Sequence, residues 1–134
     1  MPGKRLLLTL VISVGILAAT GPRQISSKAA WKLMGEAMAA SGIDPKGFDL
    51  VPYVNSYAPD FYSFQALPRG PGAEGSIGFF AVNPWSGYIW NLAGCRQVTS
   101  PSLKKEQARI LKTSGMSASE AKTLGEKSPG CSPE

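Results

Sequence analysis

The chain has 134 residues, with 14 Lys and Arg against 9 Asp and Glu for a formal charge of +5, two cysteines and no histidine. Without histidine there is no serine–histidine or cysteine–histidine nucleophile system, no histidine-ligated zinc, and the commonest general base is missing. The basic residues are scattered, Lys104-Lys105 being the densest pair, so no stripe marks a nucleic-acid binder, and neither cofactor nor metal is expected.

Lys4 and Arg5 precede an unbroken run of apolar and small residues, Leu6 to Ala19, with Ala18, Ala19 and Thr20 at its end. That is the three-part pattern of a secretory signal peptide, and the run falls short of the roughly 20 residues of a spanning helix. Residues 1–20 are therefore expected to be a leader and 21–134 a single small α+β domain. The expected location is periplasmic or secreted, with membrane contact only through the transient leader. In an oxidising compartment Cys95 and Cys131 are expected to pair, and the chain-entropy model credits such a bridge with roughly 4 kcal/mol.

Beyond Gly21 to Gln24, the residues Ala30, Trp31, Met34, Ala37 and Met38 recur at helical spacing, with serine ahead of them and Gly42 just past the end. Asp44-Pro45 predicts one helical turn near Phe48. Residues 49–60, DLVPYVNSYAPD, carry two prolines and read as an irregular connection with room for a short edge strand around Tyr53-Val54. Phe61 to Leu67 reads as a strand with Tyr62, Phe64 and Ala66 on one face, ended by the glycine-proline turn Pro68 to Gly75. Ser76 to Val82 and Gly87 to Leu92 are the next two strands, joined by a turn to which Asn83, Pro84 and Gly87 contribute a side-chain acceptor, a fixed φ and a left-handed position. Ser100-Pro101 opens a helix that carries Leu103, Ile110 and Leu111 and stops at Gly115, and Ser117 to Glu120 matches a capping box before a shorter helix through Leu124. The expected fold is an N-terminal helix packed on a three-stranded antiparallel meander, followed by two short C-terminal helices tethered by the disulfide.

One face of that sheet, with Phe80, Val82 and either Ile89 or Trp90, is expected to pack on the first helix and its Trp31. Trp85, at the centre of a turn, is left over for binding together with Tyr88, because a partly exposed tryptophan beside tyrosine is a common interface anchor. Arg69, in the glycine-proline turn, completes the expected partner-contact set. No catalytic residue is expected. The leading reading is a non-enzymatic exported module that binds another exported or envelope protein and blocks it sterically. Two alternatives stand beside it: a carboxylate-dependent envelope hydrolase using Asp49 and Asp60, and a carrier that encloses an apolar molecule between sheet and first helix.

The strand followed by Val82-Asn83-Pro84, Ser86-Gly87 and Ile89-Trp90 resembles the PepSY-type pattern of valine, Asp or Asn, two residues, Thr or Ser, glycine, one residue and a β-branched residue. The resemblance covers residues 76–92 and implies a small exported α+β module that binds or restrains partner proteins. The layout as a whole is similar to small periplasmic inhibitor and immunity proteins, which implies occlusion of a secreted enzyme.

Overall fold

The computed structural model describes residues 21–133; the leader expected at residues 1–20 lies outside them. Helix α1 spans Ser27–Ala40, with the Ser26 hydroxyl accepting the Ala29 N–H at 3.1 Å as its cap. A single 3-10 turn at Pro45–Gly47 follows, capped by Asp44, whose carboxylate accepts the Lys46 N–H. The chain then runs through β1 (Phe48–Pro52), β2 (Tyr62–Pro68), β3 (Gly78–Val82), β4 (Ile89–Asn91) and β5 (Arg96–Val98). Helix α2 spans Pro101–Thr113, and the short α3, Ala118–Glu120, carries the expected capping box and continues into a wide turn at Ala121–Gly125.

The five strands lie in sequence order and every neighbouring pair is antiparallel. This corrects the expected three-stranded meander, to which the structure adds a strand at each edge. The first addition, β1, falls in the segment read as irregular because of its prolines. Arg69 N–H donates to Gly47 O and Tyr53 N–H to Ser63 O, so the backbone groups of 47, 49, 51 and 53 face β2 and those of 48, 50 and 52 face away. Pro52 therefore removes no ladder bond, as proline on an edge strand can. The second addition, β5, has only Val98 as an apolar residue. It is formed by a tight reversal in which Asn91 Oδ1 accepts the Ala93 N–H and Gly94 and Cys95 both take positive φ.

One sheet face carries Phe64, Ala66, Phe80, Val82 and Ile89 against Ala30, Leu33, Met34, Ala37 and Met38 of α1 and Leu103 and Ile110 of α2. Among the described residues this central space between sheet and helices is filled by the chain's own side chains, where the carrier alternative would need an enclosed chamber. Ile89 belongs to this core, whereas Trp90 lies on the opposite face with Ala58, Phe61, Ala81 and Leu92. Trp31 is a second correction: it is 54% exposed and outside the core. Ala30, Met34 and Ala37 already occupy the contact stripe, and the next residue after Ala30 points about 100° away from it.

The β3–β4 turn gathers several segments. Asn83 is fully buried; its Oδ1 accepts the N–H groups of Trp85 and Ser86, and its Nδ2 donates to Leu124 O at 2.7 Å and Lys127 O at 3.3 Å. Pro84 O accepts the Ile25 N–H ahead of α1, and Gly87 O accepts from Gln107 Nε2 of α2 at 3.0 Å. Gly87 has φ of 74°, and a Cβ there would stand 2.9 Å from both Leu33 Cδ1 and Ile110 Cδ1, so both backbone and space demand glycine. Replacing Asn83 by Ala removes a hydrogen bond from four backbone groups: the Ser86 N–H, which is buried, and the Trp85 N–H, Leu124 O and Lys127 O, which are part-buried. We expect Asn83→Ala to cost about 3 kcal/mol or more in urea unfolding; a loss below about 1 kcal/mol would mean that water replaces the amide.

Candidate partner-binding face

After β1 the chain does not return directly to β2 but folds over the sheet face opposite α1. Asn55 is buried in this loop and its Oδ1 accepts the Tyr57 N–H at 3.1 Å, an Asx-type turn. Ala58 N–H then donates to Asn55 O and Phe61 N–H to Ala58 O. Ala58 and Phe61 are buried against Ala81, with Trp90 and Leu92 beside them. These anchors hold the loop down, while Val54, just before Asn55, and Tyr57, between Asn55 and Ala58, stand 90% and 84% exposed.

The C-terminal tail locks the other side of the loop. Gly130, with φ of 79°, lies so close that a Cβ would meet Tyr57 Cβ and Tyr57 O at 3.1 Å. Pro129 is fully buried, Lys127 Nζ pairs with Asp60 Oδ2 at 2.7 Å, and Cys131 is bonded to Cys95 in the β4–β5 turn. The expected disulfide thus fastens the tail to the end of β4, and through the tail it fixes the exposed loop.

A cleft of about 530 Å³ opens between loop and sheet, with Tyr53, Val54, Tyr57, Phe79, Leu92 and Gly130 among its walls and no charged side chain among the described residues that line it. Tyr53 and Phe79 meet edge to face at 5.2 Å, and Phe79 remains 40% exposed. Burial pushes the Tyr53 phenol above its usual range, and the neighbouring Ser63 hydroxyl draws it back in part, although Ser63 Oγ closes no hydrogen bond of good geometry. Such walls suit an aromatic or aliphatic side chain better than a charged one.

The residues expected from the sequence are placed apart. Trp85 is half-buried and its N–H is taken by Asn83 Oδ1. Tyr88, also half-buried, lines a shallow depression with Lys104, Gln107 and Leu111. Arg69 is exposed beyond the end of β2 and ion-paired with Asp49, beside a groove under Trp31. The depression beside Tyr88 contains neither Trp85 nor Arg69, and the groove beside Arg69 contains neither Trp85 nor Tyr88. The carboxylates of the hydrolase alternative are separately engaged: the Arg69 guanidinium holds Asp49 below the usual carboxylate range, and Asp60 is bound by Lys127. The Asp49–Arg69 attraction is present above the ordinary carboxylate range and fades as pH falls through the lowered pKa; both groups are solvated, so salt screens it. Val54, Tyr57 and Phe79 are not singled out by any motif. The signal available was that DLVPYVNSYAPD holds Val51, Tyr53, Val54 and Tyr57 in a stretch without regular spacing, where such side chains cannot all be buried.

No protein-family model and no curated protein matches this chain. The PepSY-type resemblance therefore has no family match behind it, and Asn83, Ser86 and Gly87, which carry it, are all buried in the β3–β4 turn. A solved structure does match: a chain of a type VI secretion system effector-immunity complex from Pseudomonas protegens has a TM-score of 0.65 at 20% identity, covering 81% of this chain and 91% of its own. The two share a fold. Among the described residues no helix is long and apolar enough to cross a membrane.

The cleft offers a spectroscopic check. In a difference titration at 295 nm of wild type against Tyr53→Phe, the Tyr53 component is expected to ionise above pH 10, because burial favours the neutral phenol. A midpoint at or below 10 would mean that the cleft wall is open to water.

Proposed function

We propose that this chain is an exported immunity-type protein that binds a secreted or envelope enzyme and blocks it by occlusion, contributing no chemistry of its own. The observation that carries this reading is the pair Val54 and Tyr57, almost fully exposed on a loop whose backbone is fixed at both ends. Large apolar side chains held outward by a rigid scaffold bind at low ordering cost, since the loop entropy is lost on folding and not again on association. The adjoining uncharged cleft receives an apolar side chain of the partner, and the paired arrangement of protruding anchor and pocket is that of an interface hot spot. The fold shared with a chain of an effector-immunity complex supports the same reading. So do the leader pattern and the oxidised cysteine pair, which fit a periplasmic or secreted setting. Trp85, Tyr88 and Arg69 remain candidate contacts on other parts of the surface, outside the cleft.

Affinity purification of the leader-bearing protein from envelope extract, followed by mass spectrometry, identifies the enzyme; binding and inhibition are then measured with variants. Tyr57→Ala keeps the Cβ on which Gly130 packs, so it is expected to leave the melting temperature unchanged while weakening binding about 30-fold or more and restoring the enzyme's activity. Cys131→Ser, which frees the tail, is expected to cost about 4 kcal/mol of stability and also to weaken binding in the population that remains folded. Equal affinity of wild type and Tyr57→Ala would sink the loop as the contact, and recovery unchanged by Trp85→Ala would remove that residue from the interface.

A further inference from the structure

A second recognition element lies at the free edge of the sheet. Strand β1 is bonded to β2 alone, and the ladder places the amide and carbonyl of Phe48 and Leu50 on its outer side. Among the described residues neither amide is taken up by a turn or loop backbone. Beside this edge, between β1 and α1, runs a groove of about 260 Å³ whose walls include Trp31, Gly35, Pro45, Phe48, Leu50 and Arg69. Gly35 forms its floor on the helix side: no atom lies within 4 Å of where a Cβ would stand. Trp31, displaced from the core, forms the exposed wall.

We infer that this edge takes an extended segment of the partner protein as a sixth strand, with one apolar side chain of that segment seated in the groove between Trp31 and Leu50. The backbone supports the first half of the statement, because a row of alternating N–H and C=O groups at strand spacing is a template for another extended backbone. The pleat dictates the second. The residue opposite Leu50 projects to the same face as Leu50, into the groove, while its two chain neighbours project to the other face of the sheet, beside Val51. The single acid on the groove wall, Asp49, is already neutralised by Arg69, so an uncharged side chain meets no penalty there. A second copy of this chain fits poorly: pairing β1 with itself about Leu50 sets Leu50 opposite Leu50, and a side chain half-committed to its own core leaves both grooves unfilled. The inference rests on the partner-binding reading for the origin of the segment, not for its chemistry.

The test uses a phage-displayed library of random twelve-residue peptides selected on the intact protein, with counterselection on Gly35→Leu, which fills the groove from the helix. The selected peptide is synthesised and its Kd and the exchange rates of the β1 amides are measured. The expected peptide alternates apolar residues, slows exchange of the Leu50 and Phe48 amides at least tenfold, binds Gly35→Leu at least tenfold more weakly, and binds Tyr57→Ala as well as wild type. Gly35→Ala, which leaves most of the groove open and suits a helix, is expected to bind normally, and equal melting temperatures of the two Gly35 variants show that both are folded. A selection yielding no such peptide, a bound peptide that slows no β1 amide, or protection of β1 that rises with protein concentration alone would each overturn the inference. Because Tyr57→Ala is silent in this assay, failure of the exposed loop as the enzyme contact and failure of the strand edge are read separately.

Discussion

The side-chain amide of Asn83 is what allows a polar turn to sit at the centre of this protein. A buried turn would ordinarily leave its backbone groups without water, at a cost of kcal/mol for each. Here one carboxamide supplies an acceptor for two N–H groups of its own turn and donors for two carbonyls of the tail, 41 and 44 positions away. With the turn satisfied from inside, its remaining carbonyls reach outward to the entry of α1 and to Gln107 of α2. The first helix, the second helix, the hairpin and the tail are thereby referred to one point.

From that point the exposed loop inherits its position. The tail leaves Lys127, passes under the loop at Gly130 and is bonded at Cys131 to the β4–β5 turn. Loop residues 53–60 are fastened by Asn55 and Ala58 on one side and by this tail on the other. The outcome is a surface in which apolar side chains are exposed without being loose. A few exposed apolar residues are ordinary on any surface; Val54 and Tyr57 differ because so much of the fold converges on the short backbone between them.

How much of this was legible depends on whether local chemistry or distant contact set the element. Helix α1, helix α2 and the capping box at Ser117 follow from cap residues and spacing, which act within a few positions. The alternation of Tyr62, Phe64 and Ala66 likewise announced β2 and its buried face. The edge strands did not announce themselves: β1 ends on a proline, and β5 has one apolar residue, so each exists because a neighbouring strand offers its ladder. Trp31 shows the limit of composition, since a large aromatic on an amphipathic helix reads as core until the stripe is found to be filled by Ala30, Met34 and Ala37. The disulfide was legible from the number of cysteines and the leader pattern; its use, fixing a loop seventy-odd positions before its second cysteine, was not, because no local pattern links Tyr57 to Gly130.

The sheet is an up-and-down meander, each strand paired with its nearest neighbour in sequence. Such pairing closes short loops and carries little of the chain-entropy cost that slows folding of non-local topologies. The long closures are of another kind: Asn83 to Leu124, Cys95 to Cys131, Asp60 to Lys127. All three end in one short stretch, residues 124–131. The sheet can thus form before the loop at 53–60 is set, and one of the closures that sets the loop, Cys95–Cys131, is a chemical step, oxidation. The outward setting of Val54 and Tyr57 is in this sense coupled to the redox state of a cysteine pair remote from them in sequence.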